Sequence, residues 1–191
     1  MSDLTNVFTD IADAIRAKTN SIDTYKPTEM AGVINNISSG GEELVYNLNG
    51  VNIAGWFNAP ITIAEGVINV ISMFNGFTRF NQPVNIPNSV TNTAFMLTGC
   101  YSFNQPVTML NSVTTTISMF SGCSSFNQPV IIPNSVTSIF SMFNSCSNFN
   151  QSVNIPDSAT NTALMFAGCS NFNQSINIPN SVTNTASMFS S

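Results

Sequence analysis

Apolar positions recur along most of this chain at a fixed step. The tripeptide Phe-Asn-Gln begins at Phe80, Phe103, Phe126, Phe149 and Phe172, always 23 residues apart, and one step back lands on Phe57. Aligned on that step, further columns appear. One is methionine throughout: Met73, Met96, Met119, Met142, Met165 and Met188. Beside it run Phe74, Leu97, Phe120, Phe143, Phe166 and Phe189. Columns led by Ile61, Ile63 and Val67 stay aliphatic, apart from Met109 and Ala159. A fixed period of this size is the signature of a solenoid, in which no unit buries its apolar face alone.

Within a unit, Val84-Asn85-Ile86 alternates in period 2 and is followed by Pro87, which reads as a short strand. Asn88-Ser89 is a turn, and Val90 to Thr93 reads as a second extended piece. Ala94 to Thr98 predicts one helical or 3₁₀ turn, ended by Gly99 as by Gly122 and Gly168 in their coils. The expected fold is mainly β with short helical turns: a leucine-rich-repeat-like parallel solenoid of 23-residue coils over residues 57–191, its coils stacked at strand spacing, about 4.7–5 Å.

The period changes upstream. Leu4, Phe8, Ile11 and Ile15 fall at helical spacing, and Pro27 opens a second stripe with Met30, Val33, Ile34 and Ile37. Residues 1–37 therefore predict a small α-helical hairpin preceding the solenoid. Residues 38–56 predict a Gly-Ser linker and an irregular cap, with Val51 and Trp56 over the end of the core. So short a hairpin is too small to stand alone. It caps the solenoid, oligomerises, or attaches the chain to something larger, and Leu4, Phe8, Ile11, Ile15, Met30 and Ile34 are its candidate attachment residues.

The polar columns carry the candidate chemistry. Asn58, Asn81, Asn104, Asn127, Asn150 and Asn173 form a column without substitution. It reads as an internal hydrogen-bond ladder at a tight corner, with a row of ligand-binding amides as the alternative. Cys100, Cys123, Cys146 and Cys169 share a column with Phe77, so they are expected to be buried, reduced thiols. Two variable rows on the extended pieces are candidate ligand-facing positions. One is Asn85, Thr108, Ile131, Asn154 and Asn177; the other is Asn92, Thr115, Ser138, Asn161 and Asn184. Each offers one side chain per coil to a repeating neutral ligand, such as a glycan.

Charge narrows the function further. From Phe80 onward the only charged side chain is Asp157, and the acidity lies in the first third of the chain. No basic patch exists, which argues against nucleic acid and anionic membranes. Histidine is absent, so catalytic triads and most metal sites lack their usual participant. Glu65 and Asp157 lie four coils apart and make no paired carboxylates. The expectation is no enzyme, no catalytic or metal residues, no cofactor and no membrane insertion. The amphipathic, acidic start does not read as a secretory signal.

The stretch Ile132-Pro133-Asn134-Ser135-Val136-Thr137-Ser138-Ile139, with Cys146 and the return Val153-Asn154-Ile155-Pro156, resembles the BspA-like leucine-rich repeats. It departs from that pattern by one residue fewer before Cys146 and one more after it. Met119-Phe120-Ser121-Gly122-Cys123-Ser124-Ser125-Phe126-Asn127-Gln128 resembles the surface repeats first noticed in mycoplasmas. These resemblances imply a surface-exposed binding protein with a parallel-strand solenoid, and no particular binding residues.

The run LTNVFTDIADAIRAKT, with DTYKPTEMAGVINNI, is similar to the N-termini of structural, tail-fibre-type proteins of phages of Gram-positive bacteria. That likeness implies a virion protein assembled in the host cytoplasm. Residues 1–37 would bind other virion proteins of tail, baseplate or capsid. The solenoid would face a host cell-surface glycan or protein, and the chain would be a homo-oligomer. The alternative is a bacterial surface adhesin or protein-protein interaction module.

Overall fold

The computed structural model describes residue 58, residues 60–63 and residues 65–190, together with a short antiparallel hairpin. The hairpin pairs β1 (Asn47–Leu48) with β2 (Val51–Asn52) in the register Asn47↔Asn52 and Leu48↔Val51. It falls inside the segment expected to be an irregular cap. The predicted helical hairpin of residues 1–37 and the capping role of Trp56 lie outside the described residues.

The repeat columns fold as stacked coils, and the apolar columns turn inward. Met73, Met96, Met119, Met142, Met165 and Met188 are all buried. So are Phe80, Phe103, Phe126 and Phe149, with Phe172 packed against the same core. The two phenylalanine columns stack into a double ladder. Rings within one coil are close, 4.4 Å between Phe120 and Phe126 and 4.3 Å between Phe143 and Phe149. Rings of one column in successive coils are 5.9 Å apart, as Phe103 to Phe126 and Phe126 to Phe149, with planes within 16°. This is the offset-stacked geometry that the ring quadrupole favours. Leu97 is the one aliphatic residue of its column, and there the ladder continues through Phe80 and Phe103 alone.

The inter-coil ladder lies elsewhere than the alternation predicts. Parallel bridges run from Asn69 to Asn92, Thr115, Ser138, Asn161 and Asn184, in the second extended piece. The expected strand Val84–Ile86 is not one. Among the described residues, no backbone hydrogen bond links Val107–Met109 to Val130–Ile132, or that segment to Val153–Ile155. Prolines border the segment and cannot donate to a ladder, on both sides at Pro83 and Pro87 and at Pro129 and Pro133, and on one side at Pro106 and Pro156.

The expected helical turn at Ala94–Thr98 is also replaced. Phe95 and Gly99 both take left-handed backbone, φ 57° and 73°, which interrupts any helix. Overlapping turns result, with Met96 N–H donating to Thr93 and Cys100 N–H to Leu97. The intervening amides point to the next coil: Thr93 N–H to Thr115 O at 3.0 Å, Phe95 to Ile117 at 2.8 Å, Leu97 to Met119 at 3.0 Å and Gly99 to Ser121 at 2.7 Å. Coils approach so closely here that a Cβ on Gly122 would sit 3.4 Å from the Gly99 Cα. The observed solenoid therefore joins a parallel ladder to a stack of turns, and no helix occurs among the described residues.

Candidate binding surface

The Phe-Asn-Gln corner is a scaffold. The Oδ1 of Asn104 accepts the backbone N–H of Asn127 at 2.9 Å and the side-chain amide of Gln128 at 3.1 Å. The same pair of bonds joins Asn81 to Asn104 and Gln105, and Asn127 to Asn150 and Gln151. Each asparagine oxygen thus satisfies two donors of the following coil, which favours the internal ladder over a row of ligand amides.

The cysteines are scaffold too. All four are buried free thiols, and each Sγ–H donates to a backbone carbonyl of the preceding coil: Cys100 to Phe74, Cys123 to Leu97, Cys146 to Phe120 and Cys169 to Phe143. Burial pushes the Cys100 thiol up to about 12 and Cys169 to about 11, and raises Cys123 and Cys146 well above the ordinary range. Thiols held protonated in this way are poor nucleophiles and poor metal ligands. Among the described residues, no cluster of three His, Cys, Asp or Glu could hold a metal ion.

The two candidate ligand rows part company. Asn85, Thr108, Ile131, Asn154 and Asn177 are all exposed, on the first extended segment, and the apolar Ile131 is 83% open to solvent. The Asn92, Thr115, Ser138, Asn161 and Asn184 row instead carries the parallel bridges, and its members are half-buried except Asn184. Within it, the Oδ1 of Asn92 and of Asn161 accepts the N–H two residues on, Ala94 and Ala163, at 3.0 Å. These asparagines set the turn geometry, which is the ordinary structural use of the residue at such sites.

A third row escaped the sequence reading. Thr91, Thr114, Thr137, Thr160 and Thr183 recur at the repeat step and lie at or near the surface. Several hydroxyls donate to the preceding threonine's carbonyl: Thr114 to Thr91 at 3.1 Å, Thr160 to Thr137 and Thr183 to Thr160 at 3.2 Å. Their lone pairs remain available to solvent or a ligand. Unbroken threonine at that step was the available signal. The attachment residues Leu4, Phe8, Ile11, Ile15, Met30 and Ile34 lie outside the described residues. The only charged side chains among the described residues are Glu65, Arg79 and Asp157, so the outer rows form a neutral surface. No described helix is long and apolar enough to cross a membrane.

Comparison with known proteins places this architecture. A leucine-rich repeat protein from Bacteroides ovatus superposes with a TM-score of 0.55 at 22% identity, over 68% of this chain and 34% of that one. The leucine-rich repeat protein of T. pallidum superposes with a TM-score of 0.50 at 28% identity, over 59% of this chain and 52% of that one. This chain therefore spans between a third and about half of the length of the solved proteins it resembles. No curated protein matches it. The leucine-rich-repeat-like solenoid is thus shared with bacterial proteins. Because residues 2–131 and 110–191 both match the repeat family described as "Mycoplasma protein of unknown function, DUF285", the chain belongs to that family.

Proposed function

We propose that this chain is a non-enzymatic binding protein whose solenoid displays neutral rows to a cell-surface glycan or protein. The observation that carries the reading is the exposed row Asn85, Thr108, Ile131, Asn154 and Asn177. It presents one uncharged side chain per coil, amide or hydroxyl in four coils and Ile131 in the other. The amides and hydroxyls in four of these five coils match a ligand with repeated hydroxyls, and Ile131 offers an apolar contact between them. Such a surface has no means of steering by charge, so binding should depend little on salt.

In the finer form of this proposal, the chain is a virion protein of a phage. Residues 1–37 attach it to other virion proteins, and the solenoid faces the host. The likeness of LTNVFTDIADAIRAKT to phage structural proteins supports that form. A bacterial surface adhesin is the second reading, favoured by the resemblance to leucine-rich repeat proteins of two bacteria.

Binding of the full chain to purified cell walls, at low and high salt, tests the shared claim. Retention at both salts, weakened by Asn85→Ala with Asn154→Ala, is the expected result. No retention, or retention lost at moderate salt, removes the neutral-glycan reading. Immunogold labelling of intact source particles separates the two finer forms, because only a virion protein decorates a phage particle.

A further inference from the structure

The exposed row led by Asn85 belongs to a face with two chemically different halves. On the first extended segment alternate side chains are exposed: Pro83 and Asn85 in one coil, then Pro106, Thr108 and Leu110, then Pro129 and Ile131. In the next two coils the exposed pairs are Ser152 with Asn154 and Ser175 with Asn177. The earlier coils thus carry an apolar patch, and in these columns the later ones carry only amides and hydroxyls.

Two residues make the patch more than a row of prolines. Leu110 stands where Pro87, Pro133, Pro156 and Pro179 stand in the other coils, and it is 38% exposed. Ile131 stands where the other coils have asparagine or threonine, and it is 83% exposed. They occupy successive coils, in columns two residues apart. Those coils are held in register on both sides of the segment. Asn127 N–H donates to the Asn104 side chain at 2.9 Å, and the Ser135 hydroxyl to the Val113 carbonyl at 2.6 Å. Neither Leu110 nor Ile131 belongs to the core cluster. Single exposed aliphatics are ordinary on a protein surface, but neighbouring ones amid exposed prolines mark a contact site.

We infer that this face takes a neutral glycan of N-acetylated hexosamines, with acetyl methyl groups seated on Leu110 and Ile131. The inference rests on the glycan reading proposed above and names the sugar class that the same row selects. An acetamido group joins a methyl to an amide N–H and C=O. Thr108 and Asn154 flank Ile131 by one coil on either side, about 4.7–5 Å at strand spacing. A methyl on Ile131 therefore leaves its amide within reach of the Asn154 side chain, which both donates and accepts, and of the Thr108 hydroxyl. Ser152, Asn154, Ser175 and Asn177 meet the hydroxyls of the units that follow. A hydroxyl in place of the acetamido group would find no hydrogen-bonding side chain at Leu110 or Ile131, and would lose water there without compensation. None of these positions is charged, which suits an uncharged polymer.

Saturation-transfer NMR of the full chain tests it, with chitin oligosaccharides and with cellulose oligosaccharides, which carry a hydroxyl in place of each acetamido group. The chitin series should bind about four-fold tighter or better, the worth of one methyl-sized group removed from water, with the strongest saturation at the acetyl methyls. Ile131→Asn with Leu110→Ser should erase that preference, whereas Ile131→Val should keep it. Both positions are exposed, so the variants should melt as the parent does. Equal binding of the two series overturns the inference, as does a preference that survives Ile131→Asn with Leu110→Ser. In that event, retention on cell walls leaves the broader neutral-surface reading standing, and loss of wall retention removes both.

Discussion

Asn127 donates its backbone N–H to the side-chain oxygen of Asn104, one coil earlier, at 2.9 Å. A side chain here does what a carbonyl does elsewhere in the ladder, and the same oxygen also receives the Gln128 amide. Asn104→Ala leaves two donors of the next coil without a partner, and the expected loss is about 1–3 kcal/mol. Asn104→Asp keeps the acceptor and should lose much less. Chemical denaturation of both variants checks the pair; equal losses would show that the oxygen is not what matters.

Two serines of one column predict opposite outcomes. The Ser135 hydroxyl donates to the Val113 carbonyl at 2.6 Å, whereas the buried Ser112 hydroxyl has no partner. Ser135→Ala should destabilise by about 1 kcal/mol, the net worth of one hydrogen bond. Ser112→Ala removes a desolvated, unsatisfied group and should be neutral or stabilising. Thermal melts of the two variants side by side give the sign directly.

Met119 is fully buried in a column that is methionine in all six coils. Met119→Asp places an unpaired charge there, and the expected cost is on the order of 3 kcal/mol or more, with the adjacent coils unfolding as well. Met119→Leu, close in volume, should cost less than about 1.5 kcal/mol. Unchanged melting of the aspartate variant would mean that the column faces solvent.

The thiols predict a pH dependence. Burial raises the folded pKa of Cys100 from 9.0 to about 12 and of Cys169 to about 11. Above pH 9 the unfolded chain releases these protons while the folded chain keeps them. The stabilisation is therefore complete below pH 9 and is lost as the pH rises toward 11–12. Denaturation midpoints should fall over that window, and the slope should lessen in Cys100→Ala. In the native protein at pH 8, all four thiols should resist alkylation until denaturant is added. Rapid labelling without unfolding would contradict the burial.

The columns were legible in the sequence because a core position repeated through a stack tolerates only apolar side chains. Met96, Met119 and Met142 carry that constraint without exception. The Asn104 ladder was legible for a related reason, since one amide oxygen serving two donors has no common substitute. The inter-coil ladder was misplaced because alternation at Val84–Ile86 is shared by strands and by extended segments without partners. The hydrogen bonds, not the alternation, settle which it is. The turns at Phe95 and Ser118 were not legible: their left-handed backbone is imposed by amides bonded to the next coil, and phenylalanine and serine share no local preference for it. Of the candidate rows, the one led by Asn85 was read from its alternation. The turn-setting work of Asn92 needed the coordinates of Ala94.

Each kind of inter-coil bond keeps one fixed offset from coil to coil. Asn104 reaches 23 residues ahead, Thr93 reaches 22, and the Cys123 thiol reaches 26 back. Removing or duplicating a segment of 23 residues anywhere within the array leaves every one of these offsets intact, whatever the point of the cut. A change of any other length shifts the Asn corner, the thiols and the phenylalanines out of register together. Whole coils can therefore be added to or taken from the array, and the outer rows changed one coil at a time, while the interior bonding stays the same.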